Sequence, residues 1–345
     1  MPMNRFEWAS ARTAAEGAAS ASTTVADAML AIPGGPPGEA MVLKAGGIDL
    51  LDLMKEGLLA PRRLIDLRAI AGLDQISQDS DGGLRIGALA SLEQVAAHPL
   101  IADHARALAE ATRGSASPQI RHVATIGGNL LQRPRCWYFR SIAHRCLRKG
   151  GGKCFAIHGE NQYHAIFANE VCAVVHPSTA ATALVALGAR IEIVNAEGAV
   201  RRPLLDEFFV APETDVQREN DLKTGEVVTA VLLKAPAAGT SSAHGREADK
   251  LAFDWPIADV AVVLERDPDG RCRRASVVLG AAAPVPRRAR ASEELLVEQI
   301  IDASLAREAS QAALEASTPL ARNHYKQPIF AALVYRVLMR AAGLA

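Results

Sequence analysis

The 345-residue chain has no apolar run approaching the roughly 18 residues of a membrane-spanning helix, which excludes a helical span. Residues 1–8 lack a charged segment followed by an apolar one and do not read as a signal peptide. Net charge is missing too: 38 Lys and Arg balance 38 Asp and Glu, so nothing global points to nucleic acid. Aromatic residues make up only 4 % of the chain, and Trp137, Tyr138 and Phe139 are bunched rather than interleaved with basic residues, which argues against single-strand binding. The absence of G-x-G-x-x-G removes the fingerprint of a Rossmann dinucleotide site. The absence of any C-x2-C pair removes the usual zinc knuckle or ribbon and the ferredoxin-type run. Asp and Glu are wholly missing from residues 111–159.

The length allows two or three domains, and 49 % apolar with 22 % charged residues is ordinary globular composition. Against that background one cluster stands out. Four of the five cysteines, Cys136, Cys146, Cys154 and Cys172, follow the spacing C-x9-C-x7-C-x17-C. Four thiols so close suggest a metal centre or two disulfides, and a reducing cytosol favours metal. By spacing alone an iron–sulfur site and an irregular zinc site compete, with unrelated core cysteines as the plain alternative. The acid-free stretch around them carries Arg113, Arg121, Arg133, Arg135, Arg140, Arg145, Arg148, Lys149 and Lys153. Cations lower thiol pKa and help hold an anionic group, although a solvated basic loop is the alternative for any single one. His144, His158 and His164 are further candidate ligands, each also readable as a loop or core histidine.

Residues 1–30 fit one amphipathic helix, and residues 32–39 form a Gly/Pro loop. Met41-Val42-Leu43 reads as a strand entering a tight glycine turn, with a helix from about Asp49. Strands are expected at 64–67 and 84–88, and a helix over 91–112 opened by a Ser91/Gln94 capping box. Residues 119–131 read as a second strand-to-glycine turn. A helix over 179–187, a strand over 190–194 and a turn at 195–198 follow. Strands at 226–233 and 257–264, a hairpin at Asp267-Pro268-Asp269-Gly270, a linker at 284–290 and helices at 293–316 and 327–342 complete the chain. The expected division is 1–222, an α/β region with an insertion at about 132–174, and 223–345, an α+β region.

Each Gly-Gly turn lets backbone N–H groups approach a phosphate, and two from different segments could grip a diphosphate. Each is also an ordinary tight turn when taken alone. Lys149-Gly150-Gly151-Gly152-Lys153-Cys154 lacks the spacing of a phosphate loop.

Taken in order, K-A-G-G-I-D-L at 44–50, I-R-H-V-A-T-I-G-G-N-L at 120–130, H-P-S-T-A-A-T-A-L-V-A-L-G-A at 176–189 and V-L-G-A-A-A-P-V-P-R-R-A at 278–289 resemble the FAD-binding (medium) subunit of the xanthine dehydrogenase and CO dehydrogenase group of molybdenum hydroxylases. The inserted cysteine segment resembles that of the [4Fe–4S]-containing flavin subunit of periplasmic-type bacterial aldehyde oxidoreductases. The resemblance implies a two-subdomain FAD-binding domain (the vanillyl-alcohol-oxidase-like FAD fold) followed by a CO-dehydrogenase-flavoprotein-type C-terminal domain. It implies FAD contacts from Lys44, Ala45, Gly46, Gly47, Ile48, Asp49 and Leu50, from Ala124, Thr125, Gly127, Gly128 and Asn129, and from Ser178 and Arg246. It implies Cys136, Cys146, Cys154 and Cys172 as cluster ligands, leaving Cys272 as an inert structural thiol. The family commonly has Asp where Thr179 stands here, so an anionic contact is lost.

The implied role is an electron-transfer subunit of a heterotrimeric aldehyde oxidoreductase. Its partners would be a molybdenum-cofactor large subunit and a [2Fe–2S] small subunit, with electrons passing through FAD to an external acceptor. No acid–base or nucleophilic constellation appears, which fits a relay. A stand-alone flavin oxidase and a zinc-stabilised non-redox interaction module are the competing readings. The expected compartment is cytoplasmic, or periplasmic if a signal-bearing partner exports the chain.

Overall fold

A computed structural model describes residues 3–30, 38–250 and 253–344. Three sheets organise it. In the first, β1 (Glu7–Ser10), β2 (Met41–Lys44) and β3 (Arg63–Asp66) run parallel in the order β1-β3-β2. Their register sets Lys44 opposite Asp66, which explains the buried ion pair between them. The second sheet is antiparallel: β4 (Ile76–Gln78), β5 (Leu84–Gly87), β6 (Arg190–Asn195), β7 (Val200–Arg201) and β8 (Glu226–Leu233), in the order β4-β5-β8-β6-β7. The third contains β9 (Thr240–Glu247), β10 (Ala258–Arg266), β11 (Cys272–Gly280) and β12 (Arg287–Arg288), antiparallel in the order β12-β11-β10-β9.

The third sheet is covered on both faces, so β10 is a continuous apolar run instead of an alternating one. Successive side chains point to opposite faces. Ala261 and Val263 join the core of the second sheet, whereas Val260, Val262 and Leu264 join the core under the C-terminal helix Lys326–Ala342. The helix Thr179–Ala186 lies between the two sheets and is buried at every residue. Thr182 on that helix donates to Asp259 of β10 at 2.7 Å, and Asp259 also pairs with His244.

Several expectations need correction. Residues 1–30 are not one helix: the strand β1 precedes the helices Ala14–Ser20 and Val25–Ala28. Each helix starts afresh because Thr13 and Thr24 accept from the N–H groups of Glu16 and Asp27. The helix expected over 91–112 keeps its capping box but is broken into Leu92–Ala97, Pro99–His104 and Arg106–Arg113. Pro99 has no N–H to continue the first piece, and Ala105 leaves helical geometry at φ −144°. Residues 119–131 contain no strand; the helices Pro118–Val123 and Ile126–Leu130 replace it. The expected division at 222/223 falls one strand early, because β8 is hydrogen-bonded between β5 and β6. The expected linker at 284–290 contains the short strand β12, and the helix expected over 293–316 is two, Arg290–Leu296 and Ala303–Ala312. Residues 32–37 of the expected loop lie outside the described residues.

Candidate functional site

A cavity of about 690 Å³ opens where the N-terminal sheets meet the start of the third. The turn after β2 forms one wall. Gly47 adopts φ +84°, a conformation that favours glycine, and starts the helix Ile48–Lys55 without a side-chain cap. The first N–H groups of that helix have no intrahelical acceptor. Leu50, Leu53 and Met54 are buried on its inner face, which fixes the helix against the core. Gly46 lies against the second turn so closely that a Cβ would sit 2.2 Å from the Val123 carbonyl oxygen.

The second turn is used differently from what the sequence suggests. The N–H groups of Ile126 and Gly127 donate to Ala90 and Ala88, and those of Gly128 and Asn129 donate to the hydroxyl and carbonyl of Thr125. Its backbone amides therefore already have protein acceptors. What it offers the cavity is the lack of side chains at Gly127 and Gly128 and the polar side chains of Thr125 and Asn129.

Lys44, Ala45, Gly46, Gly47, Ile48, Asp49, Leu50, Ala124, Thr125, Gly127, Gly128, Asn129 and Arg246 all line this cavity. Three of the expected contacts have other duties. The Lys44 ammonium is 3.3 Å from Asp66, and burial lowers its pKa against the opposing pull of that carboxylate. Asp49 accepts from the Arg133 N–H at 2.8 Å and from the guanidiniums of Arg140 at 2.6 Å and Arg135 at 2.8 Å. Ser178 lies behind the wall formed by Pro177 and Thr179; it caps its helix at the Ala181 N–H and donates to Asn129 Oδ1 at 2.5 Å. Arg246, on β9, donates to the Asp254 carbonyl at 2.7 Å. The neighbouring Phe253, Trp255 and Pro256 also line the cavity and were missed from sequence. The available signal was an exposed tryptophan in an aromatic-poor chain: Trp255 is 50 % exposed and lies under the Arg135 guanidinium at 4.7 Å.

Cys136, Cys146, Cys154 and Cys172 line a second, small cavity together with Phe139, Arg148 and Phe155. Backbone N–H groups point at all four sulfurs: Tyr138 and Phe139 at Cys136, Arg148 and Lys149 at Cys146, Ala156, Ile157 and Ala173 at Cys154, and Val174 at Cys172. Burial pushes the Cys136 thiol up to about 12 and raises Cys146 as well. Cys172 donates to Cys154, which raises Cys172 and lowers Cys154 to about 6. His164 approaches Cys136, with Nε2 3.2 Å from Sγ. His144 instead packs against Tyr138 and Phe155. Among the described residues, no group of three or more His, Cys, Asp or Glu side chains is arranged around one metal-ion position. Cys272 is fully buried in β11 and does not line this cavity.

Most arginines of the acid-free stretch pair with acids from elsewhere in the chain. Arg133 and Arg148 share one oxygen of the buried Glu219 at 2.9 and 2.7 Å. Burial alone would raise the Glu219 pKa, but the two guanidiniums reverse this and hold it below the usual carboxylate range. Arg135 and Arg140 pair with Asp49 and Asp52, and Arg121 pairs with Glu93.

Burial pushes the His176 imidazole down to about 4. Its Nδ1 accepts from the Ser178 N–H at 3.4 Å. The folded state therefore holds His176 neutral while the unfolded chain takes up a proton below about pH 6.5. The stability this residue contributes is present above that pH and lost as pH falls toward 4. The expected loss is about 2 kcal/mol between pH 7 and pH 5. His176→Asn, which keeps an acceptor but does not titrate, should flatten that part of the profile. Urea unfolding of both proteins at the two pH values checks this, and equal slopes would refute it.

Residues 6–235 match the family model of the FAD binding domain in molybdopterin dehydrogenase, and residues 245–341 that of the CO dehydrogenase flavoprotein C-terminal domain. The interval between the matches contains the change of sheet from β8 to β9. The chain is 36 % identical over 254 residues to the aldehyde oxidoreductase FAD-binding subunit of Escherichia coli, covering 73 % of this chain and 78 % of that protein. It is 27 % identical over 258 residues to the carbon monoxide dehydrogenase medium chain of Afipia carboxidovorans, covering 75 % and 72 %. In fold it is similar to a carbon monoxide dehydrogenase chain from Hydrogenophaga pseudoflava, with a TM-score of 0.74 over 100 % of both chains at 24 % identity. No helix among the described residues is long and apolar enough to cross a membrane. With both domain matches in order along one chain, this protein belongs to the FAD-binding medium subunits of the molybdenum hydroxylases, the oxidoreductases of the xanthine dehydrogenase family.

Proposed function

We propose that this chain is the flavin and iron–sulfur electron-transfer subunit of a heterotrimeric molybdenum-dependent aldehyde oxidoreductase. The observation that carries the flavin half is the large cavity, with an uncapped helix start on one wall and side-chain-free glycines on the facing one. The early N–H groups of the helix Ile48–Lys55 would hold the FAD diphosphate, since they lack intrahelical acceptors and carry the positive end of the helix dipole. Gly127 and Gly128 would leave room for it, Thr125 and Asn129 would contribute polar contacts, and Arg246 would stand near the flavin ring. Asp49 would brace the turn through its three arginine partners, leaving the phosphate contacts to backbone amides.

Cys136, Cys146, Cys154 and Cys172 would hold a [4Fe–4S] cluster. Four sulfurs around one cavity, each facing backbone N–H donors, support this, because such donors stabilise thiolate over thiol. When bound, FAD would supply one- and two-electron transfer between a [2Fe–2S] partner subunit and an external acceptor, and the cluster would supply one-electron chemistry beside it. Aldehyde as the substrate class is supported by the likeness to the Escherichia coli aldehyde oxidoreductase subunit, with turnover on a molybdenum-bearing large subunit.

The purified protein is expected to carry FAD and about four iron atoms per chain. Cys136→Ser should lose the broad absorbance near ~400 nm while keeping the flavin bands. Zinc in place of iron, or a spectrum unaltered by the substitution, would rule out this ligand set.

A further inference from the structure

His164 is a buried histidine that the proposed electron path does not itself require. It is 3 % exposed, and its Nδ1 has no hydrogen-bond partner among the described residues. Its Nε2 lies 3.2 Å from the Cys136 sulfur. A proton on Nδ1 would be a buried donor without an acceptor, which is costly, whereas a proton on Nε2 points at the sulfur. The geometry therefore selects the tautomer that donates to Cys136.

The ring is held from several sides. Trp137 packs edge-on at 5.1 Å. The His164 carbonyl accepts from Lys326 Nζ at 3.0 Å and from Asn323 Nδ2 at 3.1 Å. Lys326 is fully buried at the start of the C-terminal helix, and its other acceptor is the Ala281 carbonyl at 2.6 Å. A buried lysine set on two carbonyls acts as a positioning residue. It ties the segment carrying His164 to the third sheet and to the C-terminal helix. Among the described residues, Cys146 and Cys154 receive no comparable imidazole or guanidinium donor, whereas Arg148 approaches Cys172.

We propose that His164 donates a hydrogen bond from Nε2 to the Cys136 sulfur and thereby raises the reduction potential of the cluster that this cysteine helps to hold. The inference rests on the [4Fe–4S] reading above. A donor at a ligand sulfur stabilises the reduced cluster, which carries one more negative charge, over the oxidised one. No proton or further reactant is consumed.

The test is a redox titration followed by electron paramagnetic resonance. It uses the full-length chain purified with its accompanying subunits, as wild type, His164→Leu and His164→Gln. Leu removes the donor, and Gln restores an N–H at similar reach. In the Leu variant the reduction equilibrium should shift about tenfold toward the oxidised cluster, ~59 mV to the negative for a one-electron couple. Gln should recover most of that shift, an order that a purely space-filling role would not produce. If Leu loses its iron while Gln keeps it, the donor role is likewise supported. Iron-loaded variants that both share the wild-type potential overturn the inference, as does loss of iron from both. Wild-type protein without iron overturns the cluster reading itself and this inference with it.

Discussion

Gly46→Ala is expected to purify with less than about one-tenth of the wild-type flavin. A Cβ at this position would lie 2.2 Å from the Val123 carbonyl oxygen and 3.3 Å from the Ala124 Cα. Both neighbours are backbone, so no side chain can rotate away. The two turns that face the cavity would have to separate by roughly an ångström, and overpacking of this kind costs about 1–3 kcal/mol. A loss of 1.4 kcal/mol in binding is already about tenfold. The matched control is Gly152→Ala, where an added Cβ meets nothing within 4 Å. The check is flavin absorbance near ~450 nm relative to protein, with the released flavin quantified separately. Full occupancy in the Gly46 variant would mean that the close approach of the two turns does not shape the flavin site.

The second large effect is expected at Glu219. Its carboxylate is the shared acceptor for two almost wholly buried guanidiniums, Arg133 and Arg148. Glu219→Leu would leave both cations buried without a counter-charge, and breaking a buried pair from one side costs about 3–5 kcal/mol. Adding Arg133→Met and Arg148→Met should recover much of that loss, because the desolvated charges disappear with their partner. Denaturant unfolding of the single and combined variants measures this. A single-variant loss under about 1 kcal/mol would show that water reaches the guanidiniums and that the cysteine segment is not anchored here. Arg148 also contacts Cys172, so the cysteine segment should loosen first, which loss of the iron proposed for it would report.

Much of the fold was legible because the signals were local. The strands at 41–44, 64–66, 84–87, 190–194 and 226–233 carry apolar runs bounded by glycine or turn residues, and each forms where those runs predict. The Asp267–Gly270 turn joins β10 to β11, with Gly270 at φ +85°. The Ser91/Gln94 capping box has both of its hydrogen bonds. The strand β9 was missed for the opposite reason. Its sequence, T-S-S-A-H-G-R-E, has no apolar pattern, and the strand exists because it completes the edge of a sheet beside β10 under the C-terminal helix. There Gly245 admits Val337 and Leu333 so closely that a Cβ would lie 2.7 Å from the valine.

The candidate site divides in the same way. The residues that line the flavin cavity were mostly visible as two glycine motifs, but their duties were not. Backbone amides in the second turn are already bonded within the protein, two to the neighbouring segment at Ala88 and Ala90 and two to Thr125 at the start of its short helix. Asp49 and Ser178 lie in the right motifs, yet one holds arginines from the cysteine segment and the other supports the cavity wall from behind.

By itself the sequence determined the composition class, the principal glycine turns, the cysteine set and the family likeness, because each depends on residue type and short spacing. Only the tertiary structure decided what the acid-free stretch does. Read along the chain it is a run of cations without partners, but in the fold Asp49, Asp52, Glu93 and Glu219 meet most of its arginines. Charge pairing acts over a few ångströms in space, whereas the chain separates these partners by tens of residues. The convergence of the four thiols on one cavity, with His164 beside Cys136, has the same origin.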